Sequence, residues 1–266
     1  MPTITDPARE LADICTMLSD GSRQGGATFL ASRFKVPEWS TEFFQIIFLF
    51  SKRADELIGI LDELDIDDDY RSEFADHIRS IQRTFSPEGL NNPWNHATSN
   101  LINPANVNSV KALSGLVRPL YSYPKLDADE QADILSDVEE LLGWLREHQL
   151  SERDFIRQAI IDGLEQFCFR LQRVGWLGWG YTVESLRDVI SAYLALERGV
   201  PDMQAAPDAE ALLRKTVACV KNVFSKVGAT RQAAGDAAFM LLAYEQIVKV
   251  AQGKAPLAGL LTFAGG

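Results

Sequence analysis

The chain has 266 residues, 46% apolar and 24% charged, with 18 Gly and 11 Pro, values that exclude a disordered, collagen-like or disulfide-stapled protein. A chain of this length buries about three quarters of its unfolded surface, so it needs neither metal nor disulfide to fold. Lys and Arg total 26 against 37 Asp and Glu, a net −11 that repels a phosphate backbone and argues against nucleic acid as a partner.

Nearly every long segment carries the helical period, and none alternates as a strand does. Asp6 followed by Pro7 predicts an N-cap and first helical position, opening a helix that runs to about Ser19. Gly21, Gly25 and Gly26 read as breakers. A second helix is expected from about Glu38 to Leu64. Its centre, Phe43, Phe44, Ile47, Phe48 and Phe50, is apolar on most sides and predicts a helix buried in the core. The next, Asp68 to Phe85, is amphipathic through Phe74, Ile78, Ile81 and Phe85.

The middle differs in character. Five prolines fall between Pro87 and Pro124 and seven asparagines between Asn91 and Asn108, so turns and caps are expected, with one short helix over Ala105–Val117. The expected organisation is therefore an N-terminal helical lobe (1–85), an Asn/Pro-rich connecting region (86–125) and a C-terminal helical lobe (126–266).

In the second half Asp127 caps a helix striped by Ile134, Val138, Leu141 and Leu145. Ser151 to Asp154 resembles a capping box ahead of the face Ile156, Ile160, Gly163, Phe167, Leu171 and Val174. Gly163 inside that face predicts a close helical neighbour. Gly175 reads as the C-cap of that helix, with Trp176 and Trp179 packing beyond it. Thr182 starts a helix with Leu186, Ile190 and Tyr193. Leu213 to Val227 and Ala233 to Ala251 step by alternating fours and threes around Gly228, which predicts a C-terminal antiparallel hairpin. The fold class expected is all-α, a multi-helix bundle in two lobes.

Charge is polarised along the chain. Asp55–Asp76 sums to −9 and Asp127–Glu140 to −7, which leaves +5 for the rest, including the acid-free run from Arg214 to Arg231. The three cysteines, Cys15, Cys168 and Cys219, are odd in number and lie among apolar or small neighbours, as buried thiols of a reducing compartment do. No secretory leader is expected at the N-terminus, and the run Phe43–Phe50 is far shorter than a membrane span, so a cytoplasmic protein is expected.

Few residues carry chemistry. Asp65–Asp69 opens like a calcium loop, but Tyr70 stands where that loop needs Gly. Asp69, Glu73 and His77 share a helix face without the Glu-x-x-His pairing of carboxylate metal bundles, so no metal and no cofactor are expected. Gly175-Trp-Leu-Gly178-Trp-Gly180 follows a helix rather than a strand and so is no phosphate loop. Its tryptophans, Trp176 and Trp179, are candidate partner anchors, as are the cations Arg214 and Lys221. Trp94, Asn95 and His96 gather aromatic and polar groups in the Asn-rich middle and are candidates for a ligand site. Nucleophile elbow, Walker A and zinc-protease patterns are absent.

Arg71-Ser-Glu-Phe-Ala-Asp-His77 resembles the Arg-x4–6-His signature of the HEPN ribonucleases, helical bundles that often act as dimers. The resemblance covers seven residues and implies metal-independent RNA cleavage, with Arg71 and His77 at the scissile phosphate. The leading expectation is different: a non-enzymatic helical module for protein contact or self-association, with the ribonuclease as its alternative. A membrane-active protein exposing Phe43–Phe50 or the C-terminal tail is a third class.

Overall fold

A computed structural model describes residues 4–148, 154–186, 189–190 and 207–227. In chain order the helices are α1 (Pro7–Leu18), α2 (Gly26–Phe34), α3 (Thr41–Glu63), α4 (Asp68–Arg83), α5 (Pro87–Asn91), α6 (Trp94–Asn100) and α7 (Pro104–Val117). They continue as α8 (Ala128–Glu147), α9 (Asp154–Leu171), α10 (Val174–Leu177), α11 (Trp179–Glu184) and α12 (Pro207–Val227). Named strands among the described residues are two residues long, β1 (Ile4–Thr5) and β2 (Tyr123–Pro124). The protein is all-α, as its periodicity predicts. The second helix of the expected C-terminal hairpin, the residues around Tyr193 and the start of the Ser151–Asp154 box lie outside the described residues.

The chain divides into two compact units. The first comprises Thr5–Ser122 with Gly175–Gly178, and the second comprises Met1–Ile4, Tyr123–Val174 and the chain from Trp179 onward. The Asn/Pro-rich middle is helical. Its turn-forming residues serve as helix starts: Pro87 and Pro104 occupy first positions, and Asn103 Oδ1 accepts from the Asn106 amide at 3.0 Å.

In the first unit α1 lies along α7, α4 packs on both α3 and α7, and α2 meets α5 and α6. A single buried carboxylate ties the first of these pairs together. Asp6 caps α1 by accepting from the Arg9 amide at 2.9 Å. Its other oxygen accepts from Ser114 Oγ at 2.6 Å and from Arg118 Nε and Nη2 at 3.1 Å, so the burial of its charge is offset by four donors. A second buried pair joins Arg53 of α3 to Glu10 of α1 at 3.3 Å, and Arg53 also donates to the Trp176 carbonyl at 3.1 Å. Gly178 ends α10 beside that pair with φ +84°. A Cβ there would stand 2.1 Å from Glu10 Oε2, so both the backbone and the space demand glycine. The long helix that Gly175 is expected to cap ends earlier, at Leu171, and Gly175 lies within the short α10 that Gly178 follows.

The helix that is apolar on most sides is buried along one stripe and exposed on the other side. Phe43, Ile46, Phe50, Ala54, Leu57 and Leu61 of α3 are fully buried, but Phe44 and Phe48 are 50% and 65% exposed. The buried residues already complete an i, i+3, i+4 stripe, so the remaining phenylalanines fall on the opposite face.

In the second unit α8 packs on α9 and on α12, and α9 also meets α11. The core includes Ile134, Val138, Leu145, Ile160, Leu164, Phe167 and Val220. Asp127 and Glu130 form a reciprocal capping box at the start of α8. The close neighbour expected at Gly163 is Val189, whose Cγ2 would lie 2.8 Å from an added Cβ.

Candidate functional site

Each residue singled out by the sequence has a definite place. Trp94 is 0% exposed, stacks on Phe29 at 4.7 Å and donates from Nε1 to the Leu18 carbonyl at 2.9 Å. Asn95 and His96 are exposed, and Asn100 Nδ2 approaches His96 Nδ1 at 3.3 Å. The three therefore do not converge on a pocket. Trp176 is half-buried, edge-on to Phe34 at 5.4 Å, and Trp179 is 2% exposed within the second core. Arg214 is exposed on α12; residue 221 lies on the same helix, its side chain outside the described set.

Arg71 and His77 sit six residues apart on α4, about 120° apart around the helix axis. The Arg71 guanidinium closes the C-terminus of α3. It donates to the carbonyls of Leu61 at 3.1 Å and of Leu64 and Ile66 at 3.3 Å, and to Asp68 at 2.5 Å. Asn106 spends its amide nitrogen on the Leu101 carbonyl, so its oxygen is the acceptor for His77 Nδ1–H at 2.8 Å. His77 Nε2 faces Glu73 at 3.8 Å. The two groups thus have separate partners, each of which fixes local structure.

Two grooves run along α8. One, of about 230 Å³ against α12, has Trp144 in its wall, with His148 stacked on the indole at 4.3 Å and Lys215 over it at 5.4 Å. The other, of about 470 Å³ against α9, is lined by Arg146 and Glu165, themselves paired at 2.7 Å. Cys15, Cys168 and Cys219 are free and buried, and burial pushes each thiol up to about 12 from the ordinary value near 9. They are therefore neutral thiols rather than nucleophiles at physiological pH. Among the described residues no cluster of three or more His, Cys, Asp or Glu could hold a metal ion, and no helix is long and apolar enough to cross a membrane.

The feature with the clearest outward purpose lies where α2 hands over to α3. Lys35 ends α2 in the left-handed region, φ 57°, and the Val36 amide bonds back to the Ala31 carbonyl at 3.1 Å. A turn follows, closed by the Ser40 amide on the Pro37 carbonyl at 3.2 Å, with Trp39 at its third position and φ 60°. Glycine is the ordinary residue for such a position; a bulky side chain there costs about 1–2 kcal/mol. Ser40 then caps α3, its Oγ accepting from the Phe43 amide at 3.1 Å. The strained turn leaves the Trp39 ring 47% exposed, set against Phe43 at 5.8 Å and Phe44 at 5.9 Å. Phe48 continues the row one helical turn on. Three large aromatic side chains thus stand on one exposed face, with Trp39 and Phe44 in ring contact.

Residues of this face lay partly within sequence reach. Phe44 and Phe48 are surplus to the stripe formed by Phe43, Ile47, Phe50 and Ala54, and that surplus is the readable signal. Nothing local marks Trp39, whose exposure follows from its backbone. Comparison with protein-family models, with curated proteins and with solved structures finds no match, so no relative assigns this face a role.

Proposed function

We propose that the protein is a non-enzymatic helical interaction module, and that its contact surface is the Trp39–Phe44–Phe48 face at the start of α3. The observation that carries this reading is the exposed aromatic row, in which Trp39 and Phe44 are in ring contact and Trp39 is held by a strained backbone. Exposed aromatic anchors contribute most of the energy in protein contacts, and rings already locked in place lose little entropy on binding. Backbone strain concentrates where binding requires it. The residues with catalytic types support the same reading, since Arg71 is spent on helix-end carbonyls and the thiols are buried and neutral.

The test is native mass spectrometry of protein isolated gently from its own host, wild type beside Phe44→Ser/Phe48→Ser. A second mass, protein or second copy, is expected on the wild type and absent from the variant, while both melt at the same temperature. Identical spectra from the two proteins would overturn the assignment of this face.

A further inference from the structure

We infer that the aromatic face takes a cationic amphipathic helix of another protein, laid along the exposed stripe that α3 carries from Phe44 to Asp62. The inference rests on reading the face as a contact surface and extends that surface along the helix. At about 100° per residue, Phe44, Phe48, Asp55, Gly59 and Asp62 fall within about 60° of one another around the α3 axis. All five are exposed. The stripe runs about 27 Å, so an occupant that follows it needs about 18 residues of helix. Its two ends differ in chemistry. The N-terminal end offers the Phe44 and Phe48 rings, with Trp39 against Phe44. The C-terminal end offers carboxylates: from Asp55 to Asp69 there are eight Asp or Glu and no Lys or Arg.

Charge selects the occupant. Asp55 accepts from the neutral Gln82 amide at 2.7 Å, and Asp62 has no cationic partner among the described residues. Two carboxylates two turns apart on one line therefore stand open to Lys or Arg of the occupant, and the first of them lies about 10 Å beyond Phe48 along the axis. Gly59, between the two, sets a steric condition. A Cβ there would meet nothing within 4 Å among the described residues, so the packing of this unit does not demand glycine. Glycine inside an exposed helix lowers its stability relative to Ala, and on this line its bare Cα lets a second helix come close. A second copy of the chain meets the charge condition in neither direction. Laid parallel it brings Asp55 and Asp62 against their own kind, and laid antiparallel it brings them against the phenylalanine rings, uncompensated. An anionic membrane or a nucleic acid is repelled by the same carboxylates.

Fluorescence anisotropy of labelled synthetic peptides on the full-length protein tests this. Two helical peptides of about 20 residues carry, on one face, a Leu pair, an Ala and two Lys spaced to match the stripe, with the Leu pair at the N-terminus of one and the C-terminus of the other. A third peptide has Glu in place of Lys. The wild type is expected to bind one Lys peptide at least about tenfold tighter than the Glu peptide. Asp55→Asn/Asp62→Asn is expected to weaken that binding by about tenfold, while Asp129→Asn/Glu147→Gln, the same change in net charge elsewhere, leaves it within about twofold. Gly59→Gln is expected to raise the melting temperature by about 2 °C and yet to weaken the peptide by about tenfold, a split that a structural role for Gly59 would not give. No binding of either Lys peptide, equal binding of the Glu peptide, equal losses in the two charge variants, or a Gly59→Gln protein that binds as wild type would each overturn the inference. So would binding of phosphatidylcholine vesicles that is lost in Phe44→Ser/Phe48→Ser, which would assign the rings to lipid. If the peptides fail but Phe44→Ser/Phe48→Ser still loses a co-purifying protein, the cationic helix falls and the contact surface stands. If that co-purification is also unchanged, both fall.

Discussion

Trp94 and Trp39 belong to the same unit and occupy opposite environments. Trp94 opens α6 with every edge satisfied: its ring is stacked on Phe29, its indole N–H bonded to the end of α1, its own amide bonded to the Gln24 carbonyl at 2.7 Å. Trp39 has a left-handed backbone, a ring half in solvent and two ring neighbours of which one, Phe44, is itself half exposed. Both lie in loop-like sequence next to Pro, Asn, Ser or Glu. What separates them is the balance each strikes: Trp94 gains burial and a hydrogen bond at no backbone cost, while Trp39 accepts strain and keeps its apolar surface in water. A side chain held at a net cost within the isolated chain is one whose return lies outside it.

The sharpest way to break that contrast is to remove the interior ring. Trp94→Ala deletes a fully buried indole with its stacking on Phe29 and its hydrogen bond to the Leu18 carbonyl, and is expected to cost about 4 kcal/mol by urea denaturation. Trp94→Phe keeps most of the stacking area and loses the N–H, for an expected cost of about 1–2 kcal/mol. If Trp94→Phe were as damaging as Trp94→Ala, the hydrogen bond rather than the packing would be the anchor.

A second, smaller effect probes the same interior through its chemistry. Cys15 lies one turn before Leu18 on α1; burial raises its thiol to about 12, and the Arg53 charge opposes that rise. A thiol ionising near 9 when unfolded and near 12 when folded binds its proton more tightly in the fold. Its contribution is therefore complete below pH 9 and lost as pH climbs toward 12, at about 1.4 kcal/mol per pH unit. Between pH 9 and 10.5, under reducing conditions, wild-type stability is expected to fall faster than that of Cys15→Ala by about that slope. Parallel curves would mean that the thiol is reached by water.

How much of this was legible in the sequence depends on what each residue had to decide. Asp6 and Asp127 announce α1 and α8 because capping is local chemistry, and both caps form as their neighbours dictate. The Asn/Pro-rich middle was harder, because the residues that favour turns also favour the first positions of short helices. Three such helices in succession, α5 to α7, look the same in composition as a linker. Gly25 and Gly26 read as breakers, yet Gly26 opens α2, where its bare Cα sits against the backbone of Gly89. That approach joins positions far apart in the chain and leaves no periodic trace. The same limit applies to α3: a helix apolar on all sides looks like core until the stripe actually used by its neighbours is known. Of the candidate site residues, Trp94, Trp176 and Trp179 were conspicuous as aromatic groups, but their packing into the interior is a tertiary outcome.

The smallest expected effect is the most informative about the exposed side of the contrast. Trp39→Asn substitutes a residue that tolerates φ 60°, so it relieves about 1 kcal/mol of backbone strain. It also forfeits ring contacts with Phe43 and Phe44, worth about 0.5 kcal/mol each. These terms nearly cancel, and the stability of Trp39→Asn is expected to stay within about 0.5 kcal/mol of wild type. Measured by urea denaturation at low protein concentration, where association does not contribute, that near-silence would show a large aromatic residue held for something other than folding. A loss of about 2 kcal/mol or more would instead make Trp39 a second Trp94, a structural ring whose exposed half is incidental, and the contrast between the two would close.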